Sequence, residues 1–88
     1  MHEIVNAEYV GDYKIKLFFD SGKSGIVDFS AYRNRGGVFE LFKSEEYFKK
    51  FYIDHEIKTL CWPDEIDFDP DMLYYKATGE PLPEWMKS

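Results

Sequence analysis

The chain has 88 residues, and its eleven basic and seventeen acidic side chains give a formal net charge of −6 at pH 7. This length predicts one domain and excludes a doubly wound sheet or a large barrel. The acidity argues against a general nucleic-acid binder, which needs a basic stripe to displace counterions from phosphates, and against an electrostatic membrane anchor.

The cysteine content and the distribution of apolar residues indicate in which cellular compartment the protein is found. Cys61 is the single cysteine, so an internal disulfide is excluded and a reducing environment is favoured. The sequence shows no signal-peptide pattern, which would be a basic start followed by an apolar run. No stretch approaches the ~18 apolar residues of a membrane span. We therefore expect a cytoplasmic protein.

Aromatic residues are unusually frequent, with eight Phe, seven Tyr and two Trp in 88 residues. Each ring offers roughly 150–250 Å² of surface, while a domain this small buries only about 60–65% of its unfolded surface. We therefore expect some rings to lie outside the core and to form a surface that a partner binds. The alternative is that the tyrosines lie half-buried with their hydroxyl groups in water.

The first third of the chain predicts an antiparallel meander. Residues 4–10 form an apolar run, and residues 14–19 alternate with a period of two, which is typical of a half-buried strand. A turn over residues 20–23 leads to a third strand over residues 25–29. The polar, glycine-rich segment 30–37 is a connector rather than a phosphate cradle, because it lacks the spacing and the lysine of a P-loop.

The middle of the chain predicts the main helix. Residues 38–42 form a short turn, and Ser44 suits an N-cap. Acidic residues at 45–46 and basic residues at 49–50 match the two ends of a helix dipole. Phe48 and Phe51 project from the same side, so this helix packs on the sheet.

The last third predicts a second hairpin, a short helix and a tail. Residues 52–54 and 57–62 form the hairpin, which ends at Pro63. Asp69 as N-cap and Pro70 as first helical residue begin a helix that continues to Tyr75. The remaining residues show no periodicity. We expect one domain over residues 1–76 and an extended or flexible tail over residues 77–88.

The sequence offers little chemistry for catalysis. Two scattered histidines and one cysteine do not make a Ser-His-Asp or Cys-His set, and Cys61 is expected to pack as a small hydrophobe. The carboxylates of residues 64–71 need a desolvated pocket to act as an acid–base pair, and an open sheet of this size has little room for one. We expect no enzymatic activity, no cofactor and no metal ligands.

Several short motifs resemble a known family. They occur in the order Tyr13-Lys14-Ile15, Phe19-Asp20-Ser21-Gly22, Val27-Asp28-Phe29-Ser30, Gly37-Val38-Phe39-Glu40, Phe48, Ile53-Asp54, Trp62-Pro63 and Asp67-Phe68-Asp69-Pro70-Asp71-Met72-Leu73-Tyr74. This set resembles the small bacterial family of domains of unknown function 2442. The family usually has Asn-Gly after the Trp-Pro step, where this chain has Asp64-Glu65.

The resemblance implies a fold but no established activity. The fold is α+β with two layers, in which a curved antiparallel sheet, made of a meander and a C-terminal hairpin, carries one main helix on one face and a short C-terminal helix. Family genes often neighbour another small family suspected of being a toxin, which implies an antitoxin-like role by association. Some relatives are fused to a helix-turn-helix domain that this sequence does not contain, so direct nucleic-acid binding is not expected.

Three hypotheses about function remain open. The first is a protein-binding module whose acidic and aromatic surface contacts a partner, such as a small basic toxin-like protein. The second is a homodimer formed through the edge of the first strand. The third is a domain that binds a small ligand or a metal through Asp67, Asp69 and Asp71.

We favour the protein-binding module. Its candidate binding residues are Trp62, Asp67, Tyr74, Tyr75, Arg33 and Arg35. For Trp62 and Asp67 a structural role competes with binding, because a buried indole beside a carboxylate that caps a turn explains both residues without a ligand.

Overall fold

The computed structural model describes residues 2–86. Strands and short helical segments follow one another in this order: β1 (Ile4–Gly11), β2 (Lys14–Phe19), β3 (Ser24–Asp28), two 3₁₀ segments (Ser30–Asn34 and Gly37–Lys43), α1 (Glu45–Phe48), β4 (Tyr52–Asp54), β5 (Thr59–Trp62), β6 (Ile66–Asp67), α2 (Pro70–Thr78) and a last 3₁₀ turn (Glu84–Met86).

The predicted meander is confirmed as the first sheet, in which β1, β2 and β3 pair antiparallel in that order. The alternation along β2 decides which face is buried. Ile15, Leu17 and Phe19 lie in the core, while Lys14 is exposed on the opposite face. Because side chains alternate along a strand, the period of two in the sequence was sufficient to predict this element.

The second hairpin is part of a second sheet. β4, β5 and β6 pair antiparallel in that order. The short strand β6 is not predicted by the sequence, since only the two residues Ile66 and Asp67 form it. The central strand β5 is buried along its whole length.

A single curved sheet with one main helix is not confirmed. The structure has two three-stranded antiparallel sheets, and the helix predicted after Ser44 is one turn, from Glu45 to Phe48. The Ser44 cap itself is confirmed, because its side chain accepts the Tyr47 N–H. The helix stays short because the chain enters β4 at Tyr52, and the preceding segment forms a 3₁₀ helix instead.

The C-terminal helix α2 is the longest helix among the described residues, with nine residues. As predicted, Asp69 caps it by accepting the Asp71 N–H at 2.9 Å, and Pro70 occupies the first turn. It ends at Gly79, which adopts a left-handed conformation with φ of 75°. The division between a domain and a tail at residue 76 stays a prediction, although the helix continues to Thr78.

Contact between α2 and the first sheet depends on Gly25 of β3. A Cβ built on Gly25 would lie 1.9 Å from the carbonyl oxygen of Ala77 in α2. Only a residue without a side chain therefore permits this approach of the helix backbone to the strand.

The core is a continuous cluster of aromatic rings around Trp62. The centroid of its indole lies 4.8 Å from that of Phe42, 5.4 Å from Phe48 and 5.6 Å from Phe68. Ring-on-ring packing of this kind fills the space between the sheets and the 3₁₀ segments.

Some rings lie outside the core, as expected, but they are few. Fifteen of the seventeen rings are buried or half-buried, and only Tyr52 and Trp85 are exposed, at 48% and 76%. The physical reason is that the rings bury one another, while several tyrosine hydroxyls still reach polar partners such as the Glu80 carboxylate.

Within residues 2–86, no helix combines the length and apolar character needed to cross a membrane.

Candidate functional site

The register of the second sheet places one residue from each of its strands in a row. Tyr52 of β4 pairs with Cys61 of β5, and Cys61 pairs with Asp67 of β6. Directly paired residues share a face of a sheet, so this row lies on one face. Asp54 follows Tyr52 by two residues and therefore extends the same face.

A cavity of about 350 Å³ lies at this part of the second sheet, and we call it the acidic hollow. Its lining residues are Tyr52, Asp54, Ile57, Cys61, Trp62, Glu65, Ile66 and Asp67. The volume lies at the small end of the roughly 300–1,000 Å³ typical of ligand pockets. The expectation that a sheet of this size has little room for a pocket is therefore wrong.

The charge of the acidic hollow is negative. Asp54, Glu65 and Asp67 contribute carboxylates, and the lining contains no lysine, arginine or histidine. In the part of the chain that the structure describes, ion pairs join only Lys23 to Glu80 and Lys43 to Glu40. None of the three carboxylates of the hollow makes an ion pair among residues 2–86, although His55, the neighbour of Asp54 in the chain, helps to lower the pKa of Asp54.

Asp54 has both a structural and an electrostatic role. Its carboxylate accepts the N–H groups of Glu56 at 2.8 Å and Ile57 at 3.2 Å, which holds the turn between β4 and β5. These two hydrogen bonds lower the pKa of Asp54. The group therefore stays ionised at neutral pH and contributes a full negative charge to the hollow.

Cys61 lies at the floor of the acidic hollow but is not activated. It is 4% exposed, and its thiol lies 3.7 Å from the Thr59 carbonyl oxygen. Burial raises the pKa of the thiol, and the nearby Asp67 and Asp54 charges raise it further. A nucleophilic cysteine needs a lowered pKa, so Cys61 is here a small hydrophobic residue, as the sequence predicts.

The turn between β5 and β6 forms one rim of the acidic hollow. Asp64 and Glu65 both adopt positive φ angles, 69° and 64°, although neither is glycine. The Tyr47 hydroxyl donates to the Pro63 carbonyl oxygen and fixes the start of this turn. The strained pair therefore places a charged side chain, Glu65, at the hollow.

The sequence profile of the family described as "Protein of unknown function (DUF2442)" matches residues 4–79. The chain belongs to this family. The match spans all six strands and both α-helices, and therefore includes every residue of the acidic hollow. No curated protein and no solved structure matches the chain. Since the DUF2442 description names no activity, function has to be argued from the site itself.

Two predicted site residues, Trp62 and Asp67, line the acidic hollow. Asp67 is exposed, so its carboxylate is accessible to a ligand. Trp62 is fully buried, and its indole N–H donates to the Phe48 carbonyl oxygen at 2.7 Å. Trp62 therefore supports the floor of the hollow from the core side, which agrees with the structural role considered for it.

Tyr74 and Tyr75 are brought to a different place. Tyr74 stacks on the imidazole of His2 with centroids 3.5 Å apart, and its hydroxyl donates to Glu80 at 2.7 Å. Tyr75 meets the same imidazole edge-on at 5.7 Å. Both rings fasten α2 to the N-terminal residues and do not line the hollow, and their part in binding stays a prediction.

Arg33 and Arg35 also lie outside the lining of the hollow. The Arg33 guanidinium stacks over the Tyr13 ring at 4.5 Å, and the Arg35 guanidinium stacks over the Tyr32 ring at the same distance. The segment predicted as a connector contains a 3₁₀ turn over Ser30–Asn34, and these cation–π contacts hold it against neighbouring rings.

Sequence reasoning missed Tyr52, Asp54 and Glu65 as site residues. The spacing of Tyr52 and Asp54 by two residues was visible and indicates a shared face. Their convergence with Asp67 depends on the register of three strands, which local periodicity does not give.

The structure does not support the metal-binding form of the hypothesis on Asp67, Asp69 and Asp71, and the small-ligand form stays a prediction. Asp69 caps α2, while Asp71 accepts the His2 backbone N–H at 2.7 Å and Asp67 faces the hollow. Throughout residues 2–86 there is no group of three His, Cys, Asp or Glu side chains that could hold a metal ion. Capping, rather than metal binding, explains the acidic residues at the start of α2.

Proposed function

We propose that this protein is a protein-binding module whose acidic hollow takes a basic side chain of a partner. One observation carries the proposal: a cavity of about 350 Å³ collects three carboxylates, none of which makes an ion pair among residues 2–86. Placing like charges together costs free energy, and a lysine or arginine entering the hollow relieves that cost.

The apolar part of the lining suits the stem of such a side chain. Ile57 is 50% exposed and Tyr52 is 48% exposed, so both offer surface beside the carboxylates. A long basic side chain packs its methylene groups on apolar surface, and the face of a tyrosine ring attracts a cation. Arginine fits best, because its planar guanidinium also binds a carboxylate through two parallel hydrogen bonds.

A macromolecular partner is favoured over a small cation by the charge of the whole chain. The net charge of −6 attracts a basic protein from a distance and speeds encounter. We extend the proposal to an antitoxin-like role, in which the module covers the basic surface of a small protein. Catalysis is not proposed, because the pKa of Cys61 is raised and the hollow contains no histidine.

Calorimetry with a capped Gly-Arg-Gly-Arg-Gly peptide at low ionic strength tests the proposal. We expect binding that weakens with salt and that exceeds binding of the glutamine counterpart. Asp67→Asn and Glu65→Gln are each expected to weaken it about tenfold, because each removes a charge from the hollow. The matched control is Glu46→Gln, which removes an exposed carboxylate of α1 outside the hollow.

Two outcomes would contradict the proposal. The first is an equal loss of affinity in Glu46→Gln and in the hollow variants, since binding would then follow total charge. The second is no heat of binding at millimolar peptide.

The homodimer is a second candidate function, favoured by the position of β1. This eight-residue strand is an edge of the first sheet, with Val5 56% and Val10 47% exposed. Part of this edge is occupied, because the Ile4 N–H donates to the Lys58 carbonyl oxygen and β1 also contacts β4 and β5. A second copy could pair with the rest of the edge. Light scattering would then give the mass of a dimer, and Val10→Lys is expected to reduce it to the mass of a monomer. A monomer mass at high concentration excludes it.

A further inference from the structure

Two cations, Arg35 and Lys76, lie against the buried Tyr32, and Arg33 is the next residue in the chain. None of these residues lines the acidic hollow. We call Tyr32, Arg33, Arg35 and Lys76 the Tyr32 patch. The Arg35 guanidinium lies 4.5 Å from the Tyr32 ring centroid, and the Lys76 Nζ lies 5.5 Å from the same centroid. Lys76 also donates to the Tyr32 hydroxyl at 3.4 Å. Arg33 follows Tyr32 directly in the chain and stacks on Tyr13.

The charges of the Tyr32 patch are not neutralised. Among residues 2–86, none of its three cations makes an ion pair with a carboxylate. Asp28 is near enough for Arg33 to help lower its pKa, but the main cause is the Ser30 N–H, which donates to the Asp28 carboxylate at 2.8 Å. In a chain with a net charge of −6, this surface therefore presents three cations that no ion pair among residues 2–86 neutralises.

The two guanidinium groups are held in place before any ligand arrives. Arg33 donates through Nε to the Ser30 carbonyl oxygen at 3.0 Å, and this hydrogen bond orients its guanidinium group. Arg35 is exposed, and stacking on a buried ring restricts its motion. A pre-organised fork of donors loses less entropy when it binds an anion, so both residues are suited to that task.

We infer that the Tyr32 patch is a second binding surface, opposite in charge to the acidic hollow, which binds the carboxylates of an acidic protein segment. The inference does not rest on the function proposed for the hollow. Carboxylates match the guanidinium fork through paired hydrogen bonds. A nucleic acid is disfavoured, because three cations neutralise only a few of its phosphates.

Fluorescence anisotropy with a labelled, capped Gly-Glu-Gly-Glu-Gly peptide at low ionic strength tests the inference, with an eight-nucleotide single-stranded RNA as the competing probe. We expect the peptide to bind more tightly than the RNA. Arg35→Gln and Lys76→Gln are each expected to weaken peptide binding about fivefold, and Arg35→Lys less, because it keeps the charge but loses the fork.

The matched control is Lys50→Gln, which removes an exposed lysine outside the Tyr32 patch. It is expected to change peptide binding by less than about twofold, as surface charges far from a site do. The inference is overturned if Lys50→Gln weakens binding as much as Arg35→Gln, if the RNA binds more tightly than the peptide, or if no peptide binding occurs at millimolar concentration. Because Arg35→Lys preserves the cation on Tyr32, it separates a loss of binding from a loss of folding.

Discussion

At the scale of single residues, Trp62 shows how a side chain can shape a site without contacting its ligand. Its indole is fully buried, packs against Phe42 and Phe48, and donates to the Phe48 carbonyl oxygen. The same residue borders the acidic hollow. Its contribution is therefore to hold the floor of the hollow rigid from the core side.

Replacing Trp62 by Phe tests this structural role. The variant loses the N–H donor, leaves the buried Phe48 carbonyl without its partner and creates a small cavity, so we expect a loss of about 2–4 kcal/mol in the free energy of unfolding. Urea unfolding followed by circular dichroism measures it. A loss below about 0.5 kcal/mol, typical of surface substitutions, would contradict a core role.

Asp64 and Glu65 are the second residue-scale case, because each holds a conformation that glycine or asparagine adopts more easily. The double change Asp64→Asn with Glu65→Gly is expected to raise the free energy of unfolding by about 1 kcal/mol, since Asn-Gly suits such a turn. It is also expected to weaken binding of the arginine peptide, since a charge leaves the hollow. Urea unfolding and calorimetry measure the two effects.

Glu65→Gln is the matched control for the Asp64–Glu65 turn, because it removes the charge and keeps the strained backbone. We expect it to weaken peptide binding without stabilising the fold. If the double variant instead binds the peptide as well as the original chain does, Glu65 has no part in the site.

At the scale of secondary-structure elements, the features that depend on neighbouring residues were predicted, while those that depend on strand pairing were not. The alternation along Lys14–Phe19 and the Asp69-Pro70 helix start each depend on neighbouring residues, and the structure confirms both. Strand β6 and the convergence of Tyr52 with Asp67 depend on residues distant in the chain. Sequence periodicity does not specify which strands pair. The sequence therefore predicted one sheet where the structure has two, and it did not predict the acidic hollow.

The packing of α2 on β3 gives an element-scale prediction. Gly25→Ala places a methyl group where the Ala77 carbonyl oxygen lies, so the helix has to move away. We expect a loss of about 1–3 kcal/mol in the free energy of unfolding, as for overpacked cores. The control is Ser24→Ala, an exposed neighbour in β3, for which urea unfolding is expected to show a change within about 0.5 kcal/mol. Equal effects of the two changes would contradict the close contact.

The C-terminal end of α2 is joined to the β2–β3 turn by Glu80, which accepts hydrogen bonds from Lys23 and Tyr74. These bonds lower the pKa of Glu80 in the folded state, the Lys23 bond most. Its contribution to stability is therefore present above the ordinary glutamate value of about 4.3 and is lost as pH falls through the lower folded value.

Unfolding curves between about pH 6 and pH 3 test the Glu80 linkage. We expect the original chain to lose more stability than Glu80→Gln as the pH falls, because the variant has no carboxylate to protonate at this position. Asp28 and Asp54, whose pKa values are also lowered, are present in both proteins and cancel in the comparison. If the stability of the two proteins falls equally with pH, protonation of Glu80 is not coupled to folding, which would contradict the prediction.

At the scale of the whole molecule, charge rather than aromatic surface distinguishes the candidate binding regions. Composition predicted a surplus of exposed rings, but it could not show that seventeen rings pack largely on one another. Composition also gave a net charge of −6 without its distribution. The fold places three carboxylates at the acidic hollow and three cations at the Tyr32 patch, and none of these groups makes an ion pair among residues 2–86.

The location of binding is the most direct test of a function for the acidic hollow. Titrating the ¹⁵N-labelled chain with the capped Gly-Arg-Gly-Arg-Gly peptide maps the contacted residues by NMR. We predict that the largest amide shifts fall at Tyr52, Asp54 and Asp67, and that they disappear in Asp67→Asn. Shifts spread evenly over the acidic surface, or centred on Glu45 and Glu46 of α1, would contradict the account.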